Sequence, residues 1–389
     1  MAKSVKKFLI ILLAVFILLF IAFRLIAPPL IEKSLNKNLV YEALPVGADA
    51  QALHDRLVVM DWHADTLLWK RDILEQADYG QVDLPRLEKG GMNIQMLTTV
   101  TKSPAGQNYK ENATGARDNI TMLAVAQGWP LRTWNSLLER ALYQAEKLDR
   151  AVARSEGSLT FIKSKADLTA HMGQDHHSLA VLLGSEGSHP LEGALANIDR
   201  MFVAGYRMMG LTHFFDNALG GSLHGISKKG LTDFGRAAVK RFDELGIIID
   251  LAHASETMAA EVTALSTRPQ VVSHTGFKGH CDSPRNFNDD LMKSIAKKGG
   301  LIAVGMWQGA VCDPTPTGIA GAIKYGIELV GADHIALGSD WDGSVEAISA
   351  DALPQITQAL LDIGVTKAEI TRVMGKNSVQ FLQTWLPDN

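Results

Sequence analysis

Eight times along this chain a short apolar run that reads as a β-strand gives way to a stretch with helical spacing. The runs are Leu57–Asp61, Asn93–Val100, Leu179–Gly184, Met208–Thr212, Gly246–Leu251, Gln270–Ser273, Leu301–Met306 and His334–Gly338. Between most of them lie segments with apolar residues three and four apart: Asp199–Ala204, Asp233–Leu245, Ser255–Leu265, Asn288–Lys298 and Ile319–Val330. Strands that alternate with helices build a parallel sheet. Eight such units predict a (β/α)8 TIM-type barrel. The second and third runs are far apart, and two more helical stretches, Asn112–Gln127 and Ser136–Arg154, fill the gap. The stripe Leu137, Leu138, Ala141, Leu142 and Ala145 on the second is expected to pack against the barrel. Ala350–Asp362 and Lys367–Leu382 read as closing helices.

A barrel leaves part of the 389 residues over, and the excess sits at the N-terminus. Lys3, Lys6 and Lys7 precede an unbroken apolar run from Phe8 to Phe23, which Leu25 and Ile26 extend beyond Arg24. That length suits one bilayer crossing, for which about 20 residues are needed. Ala27-Pro28-Pro29 is a poor cleavage site, so residues 1–26 read as an uncleaved anchor, with a cleaved signal peptide as the alternative. Lysines ahead of the span keep the N-terminus cytoplasmic and send the rest out, to the periplasm or the cell exterior. Residues 27–51 read as a polar linker and 52–389 as the barrel. A net charge of −4 with no basic run outside the extreme N-terminus argues against a nucleic-acid partner. Cys281 and Cys312 are too few for a disulfide framework or a metal finger; one disulfide is open to them in an oxidising compartment.

Barrel enzymes carry their chemistry at the C-terminal ends of the strands. His63 and Asp65 follow the first run, Glu186 the third, His213 the fourth, His253 the fifth, His274 the sixth and Asp340 the eighth. A lone histidine after an apolar run is usually an ordinary loop residue. Four histidines and three carboxylates in one register instead predict a metal site, because imidazole and carboxylate together suit zinc or a similar divalent ion.

The sequence Asp61-Trp62-His63-Ala64-Asp65, with Glu186-Gly187-Ser188-His189, Leu211-Thr212-His213, Asp250-Leu251-Ala252-His253, Ser273-His274, Arg285-Asn286 and Gly338-Ser339-Asp340-Trp341-Asp342-Gly343, resembles the membrane dipeptidase family (peptidase M19) of the amidohydrolase superfamily. The resemblance runs from about Leu57 to the C-terminus. It implies a metallo-dipeptidase with two zinc ions that hydrolyses a dipeptide's amide bond through a metal-bridging hydroxide and tolerates D-residues at the C-terminal position. His63 and Asp65 would hold one ion, His253 and His274 the other, and Glu186 would bridge them. Asp340 would carry the proton from water to the leaving amine. His213 would polarise the scissile carbonyl, and Arg285 would bind the substrate carboxylate. Family members commonly pair, so a homodimer is expected. The alternative is another binuclear-metal amidohydrolase acting on N-acyl amino acids, lactams or phosphoesters.

Other residues take supporting roles in this reading. His189 is expected to hydrogen-bond near the ligands, Asn286 and Asp342 to shape loops, and His224 and His280 to stand at the pocket rim. His176 and His177 precede the third run and would face the opposite end of the barrel. Trp62 and Ala64 replace residues that are small and polar in the family pattern, and the stretch after His213 is unusually aromatic; these departures are expected to bear on which dipeptide is preferred.

Overall fold

In a computed structural model, which describes residues 2–173 and 178–388, eight parallel strands close into a barrel. They are β1 (Val59–Ala64), β2 (Met92–Val100), β3 (Leu179–Glu186), β4 (Tyr206–Gly210), β5 (Ile248–Asp250), β6 (Val271–Thr275), β7 (Leu301–Val304) and β8 (Ile335–Leu337). Each pairs with the next, and β8 returns to β1 with Leu337 opposite Asp61. His176 and His177 lie outside the described residues. One further short strand, Leu159–Phe161, pairs with the start of β3 and was not among the eight expected. Three residues are too few to show a period.

Strands of a parallel barrel are buried on both faces, which is why they read as apolar runs. Met60, Trp62, Met96, Leu182, Met208 and Val271 form an inner cluster with Phe381 and Leu382 of the helix Asn377–Trp385. Val59, Leu97, Leu183, Met209, Ile249 and Ile302 pack outward, in one cluster with Leu148, Phe242, Ile295 and Ile323 of the surrounding helices. Trp62 therefore fills the barrel beneath the strand ends. Its ring meets Phe381 edge-on at 5.8 Å and its indole N–H donates to Ser378 Oγ at 2.9 Å. Its role is packing, which corrects the expectation that it bears on substrate preference.

The N-terminal helix, Ala2–Leu35, is longer than expected and runs through Pro28 and Pro29. A proline inside a helix leaves the carbonyl four residues back without a donor. For Pro28 that carbonyl belongs to Arg24, and Lys70 Nζ donates to it at 3.0 Å. Beyond the prolines the chain docks on the barrel instead of forming a free linker. Glu32 pairs with Arg71, Ser344 N–H donates to Asn36 Oδ1 at 2.9 Å, and Lys37–Asn38 pairs in parallel with Glu346–Ala347. Ala48–His54 is helical and packs against Leu353–Asp362. The helix is long and apolar enough to cross a membrane.

Candidate metal centre

Three of the five expected metal ligands, His63, Asp65 and Glu186, lie on or just past β1 and β3, and His253 and His274 follow and end β5 and β6. All five are buried. Pairing of β1 with β2 shifts register between Asp61 and Ala64, an irregularity of the kind that re-aims side chains at strand ends. His63 Nε2 comes within 3.6 Å of Asp65 Oδ1. Glu186 is the common point. Its Oε1 is 3.0 Å from His253 Nε2, 3.3 Å from His274 Nε2 and 3.7 Å from His63 Nε2, while its Oε2 is 3.2 Å from His213 Nε2. The ligand atoms of His63, Glu186, His274 and Asp340 lie within 4.8 Å of one another, as do those of Glu186, His213 and His253; only Glu186 is in both sets.

The protons on two of these imidazoles follow from their neighbours. Ser273 Oγ has one hydrogen and donates it to Asp250 Oδ2 at 2.7 Å. Its oxygen also lies 3.1 Å from His63 Nδ1 and 2.8 Å from His274 Nδ1. A hydroxyl whose hydrogen is spent on a carboxylate can only accept, so both rings carry their proton on Nδ1. Each Nε2 then turns a bare lone pair toward Glu186. His253 Nε2 and His274 Nε2 are 3.0 Å apart, and His63 Nε2 is buried with no hydrogen-bond partner. Lone pairs and carboxylate oxygens turned on one another repel unless positive charge stands between them. This donor set fits a metal cation.

The electrostatics agree. Burial works against charge on His63, yet Asp65, Glu186 and Asp340 outweigh it and hold its pKa up to about 10. Without an ion, that ring would have to take a second proton to supply the missing charge. Burial and then Arg285 push His253 well down; burial and then His63 do the same to His274. Burial raises Glu186, with Asp65 adding to it, and lifts Asp340 to about 7. His213 is lowered to about 4, chiefly by burial, and is neutral near pH 7.

Two of the site residues carry strained backbone. His253 and Asp340 have φ of 63° and 62°, the left-handed region that costs residues with a Cβ of order 1–3 kcal/mol. Both turn sharply out of their strands toward the cluster.

The cavity above the cluster has a volume of about 80 Å³ and is open to solvent at its mouth. Asp65, Glu186, His213, His253, Arg285 and Asp340 all line it. Arg285 is buried, donates from Nη2 to the His274 carbonyl at 2.8 Å and lies over the Trp307 ring at 5.4 Å. Asn286 braces its loop, accepting from Gly276 N–H at 2.8 Å and donating to the Cys281 and Ala310 carbonyls. Cys281 and Cys312 are disulfide-bonded, tying the loop after β6 to the segment after β7. Asp342 fixes the loop after β8 through Thr66 Oγ1 and Gln81 N–H, at 2.8 and 2.9 Å, and through Arg71.

Other histidines stand apart. His189 packs at a tilt against Phe215, ring centres 4.6 Å apart, and, among the described residues, makes no hydrogen bond to a proposed ligand, contrary to expectation. His224 packs on Phe214 beside His253, with Nδ1 2.9 Å from the Tyr109 carbonyl. His280 is exposed against Tyr325. Sequence reasoning missed Ser273 and Asp250 as the groups that orient His63 and His274, although both sit inside quoted motifs. It also missed Thr98, whose hydroxyl donates to Asp65 Oδ1 at 2.7 Å, and Tyr109, whose hydroxyl accepts from Trp307 Nε1.

Comparison with known proteins gives a consistent result. The family model for membrane dipeptidase (peptidase family M19) matches residues 47–385. Dipeptidase aclJ of Aspergillus oryzae is 25% identical over 381 residues, spanning 91% of this chain and 82% of that protein. Dipeptidase 3 of Mus musculus is 26% identical over 357 residues, spanning 84% of this chain and 64% of that one. In fold, the chain is similar to the probable dipeptidase PvdM from Pseudomonas aeruginosa, with a TM-score of 0.70, 20% identity, and 86% and 97% of the two chains covered. It is also similar to a metallo peptidase from Rhodobacter sphaeroides liganded with a phosphinate mimic of the dipeptide L-Ala-D-Ala. There the TM-score is 0.66, the identity 20%, and 85% and 99% of the chains are covered.

Proposed function

This chain belongs to the membrane dipeptidase family and is a metallo-dipeptidase, and we propose that it works with two zinc ions at the barrel mouth. The observation that carries the proposal is the convergence on Glu186 Oε1 of three imidazole nitrogens, at 3.0, 3.3 and 3.7 Å, two of them with lone pairs fixed inward by Ser273. His63 and Asp65 would hold one ion and His253 and His274 the other, with Glu186 serving both. Bound there, the ions supply the positive charge that polarises a carbonyl and lowers the proton affinity of water.

The chain's own residues do the rest. Arg285 takes the substrate's C-terminal carboxylate in its planar fork. The Trp307 ring and the His274 carbonyl hold that guanidinium in place before substrate arrives. His213, whose Nε2 faces the cluster 3.2 Å from Glu186 Oε2, polarises the scissile carbonyl as charge builds on its oxygen. Asp340, in one cluster with His63, Glu186 and His274, takes a proton from water and delivers it to the leaving amine. D-residues at the C-terminal position are accepted as substrate, a reading supported by the D-alanine mimic held by the Rhodobacter sphaeroides relative.

Residues 1–26 serve as the anchor and the barrel faces an exported compartment. Lysines ahead of the apolar run and the Cys281–Cys312 disulfide support that placement. The test is zinc content and dipeptide hydrolysis by the purified full chain. About two zinc ions per chain and activity lost on chelation and regained with zinc are expected; activity that survives complete chelation sinks the mechanism.

A further inference from the structure

Beside the catalytic cavity lies a second, apolar groove of about 510 Å³, open to solvent. Phe23, Ile31 and Leu35 of the N-terminal helix form one wall. Met122, Leu123 and Ala126 of the helix Asn119–Gln127 form the other. Large apolar side chains stay exposed on both walls: Met122 is 61% exposed, Phe23 43% and Leu35 42%. The groove is not isolated. Leu68, Ser103, Gln107, Ile120 and Ser344 line both it and the catalytic cavity. At its other end, Phe23 closes the apolar run that begins at Phe8. The groove therefore leads from the membrane-spanning part of the helix to the catalytic cavity, which it joins through the apolar Leu68 and Ile120 and the polar Ser103, Gln107 and Ser344.

The position of the helix makes this geometry firm. Its last turns lie over the C-terminal ends of the strands, held there by Glu32 on Arg71, by Asn36 on Ser344 and by Lys70 on the Arg24 carbonyl. The catalytic mouth thus faces the side from which the apolar run departs. Within the cavity, the shared residues come from the loops after β1, β2 and β8, whereas Arg285 comes from the loop after β6. A substrate whose carboxylate lies on Arg285 points its amino end toward the groove.

We propose that the groove takes a fatty-acyl chain on the substrate's amino end, so that the enzyme cleaves the peptide bond of N-acyl dipeptides drawn from the membrane surface. The inference rests on the dipeptidase reading and on the helix as anchor. It adds the substrate class. Water attacks the peptide carbonyl, the bond to the C-terminal residue breaks, and the products are an N-acyl amino acid and a free amino acid.

The test uses the full chain, zinc-loaded, in phosphatidylcholine vesicles. Three substrates are compared at known free aqueous concentration: Ala-Ala, N-acetyl-Ala-Ala and N-hexanoyl-Ala-Ala. A methylene taken fully out of water is worth about fourfold, and in an open groove about half of that free energy, so four extra methylenes should raise kcat/KM about fifteenfold over the acetyl compound. Met122→Lys and Leu35→Lys put a charge on each wall without touching the metal centre. Each should erase most of that gain and leave Ala-Ala hydrolysis unchanged, which also shows that the variant is folded. A hexanoyl compound no better than the acetyl one overturns the proposal. So does a gain that both variants keep, since partition into the bilayer alone then explains it. Both results leave cleavage of Ala-Ala intact and the dipeptidase reading with it; failure to cleave any of the three removes both.

Discussion

Ser273 offers the sharpest test of how the metal centre is built. Its hydroxyl donates to Asp250 and accepts from His63 and His274, so one side chain sets the tautomer of two imidazoles. Ser273→Ala removes that oxygen and leaves two buried Nδ1–H groups and one carboxylate oxygen without partners. Two effects follow. A freed imidazole can place its proton on either nitrogen; equal populations would cost only about twofold in affinity. The larger loss is orientation, since removing such supporting partners typically costs about 10–100-fold in metal affinity. His63 and His274 are proposed to serve different ions, so both sites should weaken, each by about 1.4–2.8 kcal/mol. The assay is zinc competition against a chromophoric chelator, read as two binding steps, with Ser273→Thr as the variant that keeps the hydroxyl. Ring ¹⁵N shifts report the tautomers directly. A folded Ser273→Ala protein that binds both ions as tightly as the parent would refute the tautomer argument. Loss at only one site would refute the assignment of His63 and His274 to separate ions.

Three further outcomes are expected. Arg285→Ala should lower kcat/KM for free dipeptides by about 2–5 kcal/mol, mostly through KM, and should change the rate on the corresponding dipeptide amides far less; an equal effect on both would remove the carboxylate from Arg285. Replacing Cys281 and Cys312 by serine opens a loop with a sequence separation of 31 residues, worth about 3.7 kcal/mol by chain entropy, so a denaturation midpoint that does not move would contradict that account. His189 is held down to about 3 by burial, below the ordinary histidine value near 6.5, so the unfolded chain binds more protons between those two values. Its contribution is complete above about pH 6.5 and is lost as pH falls toward 3, amounting to about 2 kcal/mol between pH 7 and 5. His189→Gln should flatten the unfolding free energy over that interval, and an unchanged slope would show that other groups carry it.

The barrel was legible because its strands are apolar on both faces and recur at βα spacing; each strand lies within three residues of its expected place. The clustering of the histidines proposed as ligands was legible for the same reason, since strand ends can be counted. Trp62 was misread: a family departure beside a ligand suggested contact with substrate, whereas the side chain fills the barrel under the site. His253 and Asp340 carry positive φ, which no residue type announces unless it is glycine. Pro28-Pro29 read as the end of a helix because proline withholds a donor. Lys70, 42 positions further on from Pro28, supplies one, and no local pattern could reveal it. The tautomers of His63 and His274 depend on a hydroxyl shared across the barrel, which only three-dimensional proximity discloses.

The strand Lys37–Asn38 lies along Glu346–Ala347, a few residues beyond Asp340. Anyone trimming the protein to obtain a water-soluble enzyme therefore faces a choice of scissors. A cut just before Ala52 discards this strand and the Glu32 and Asn36 contacts, loosening the very segment that carries Asp340, the proposed proton carrier. A cut near Ala27 discards the greasy part and the Lys70 contact to Arg24 but keeps the buttress.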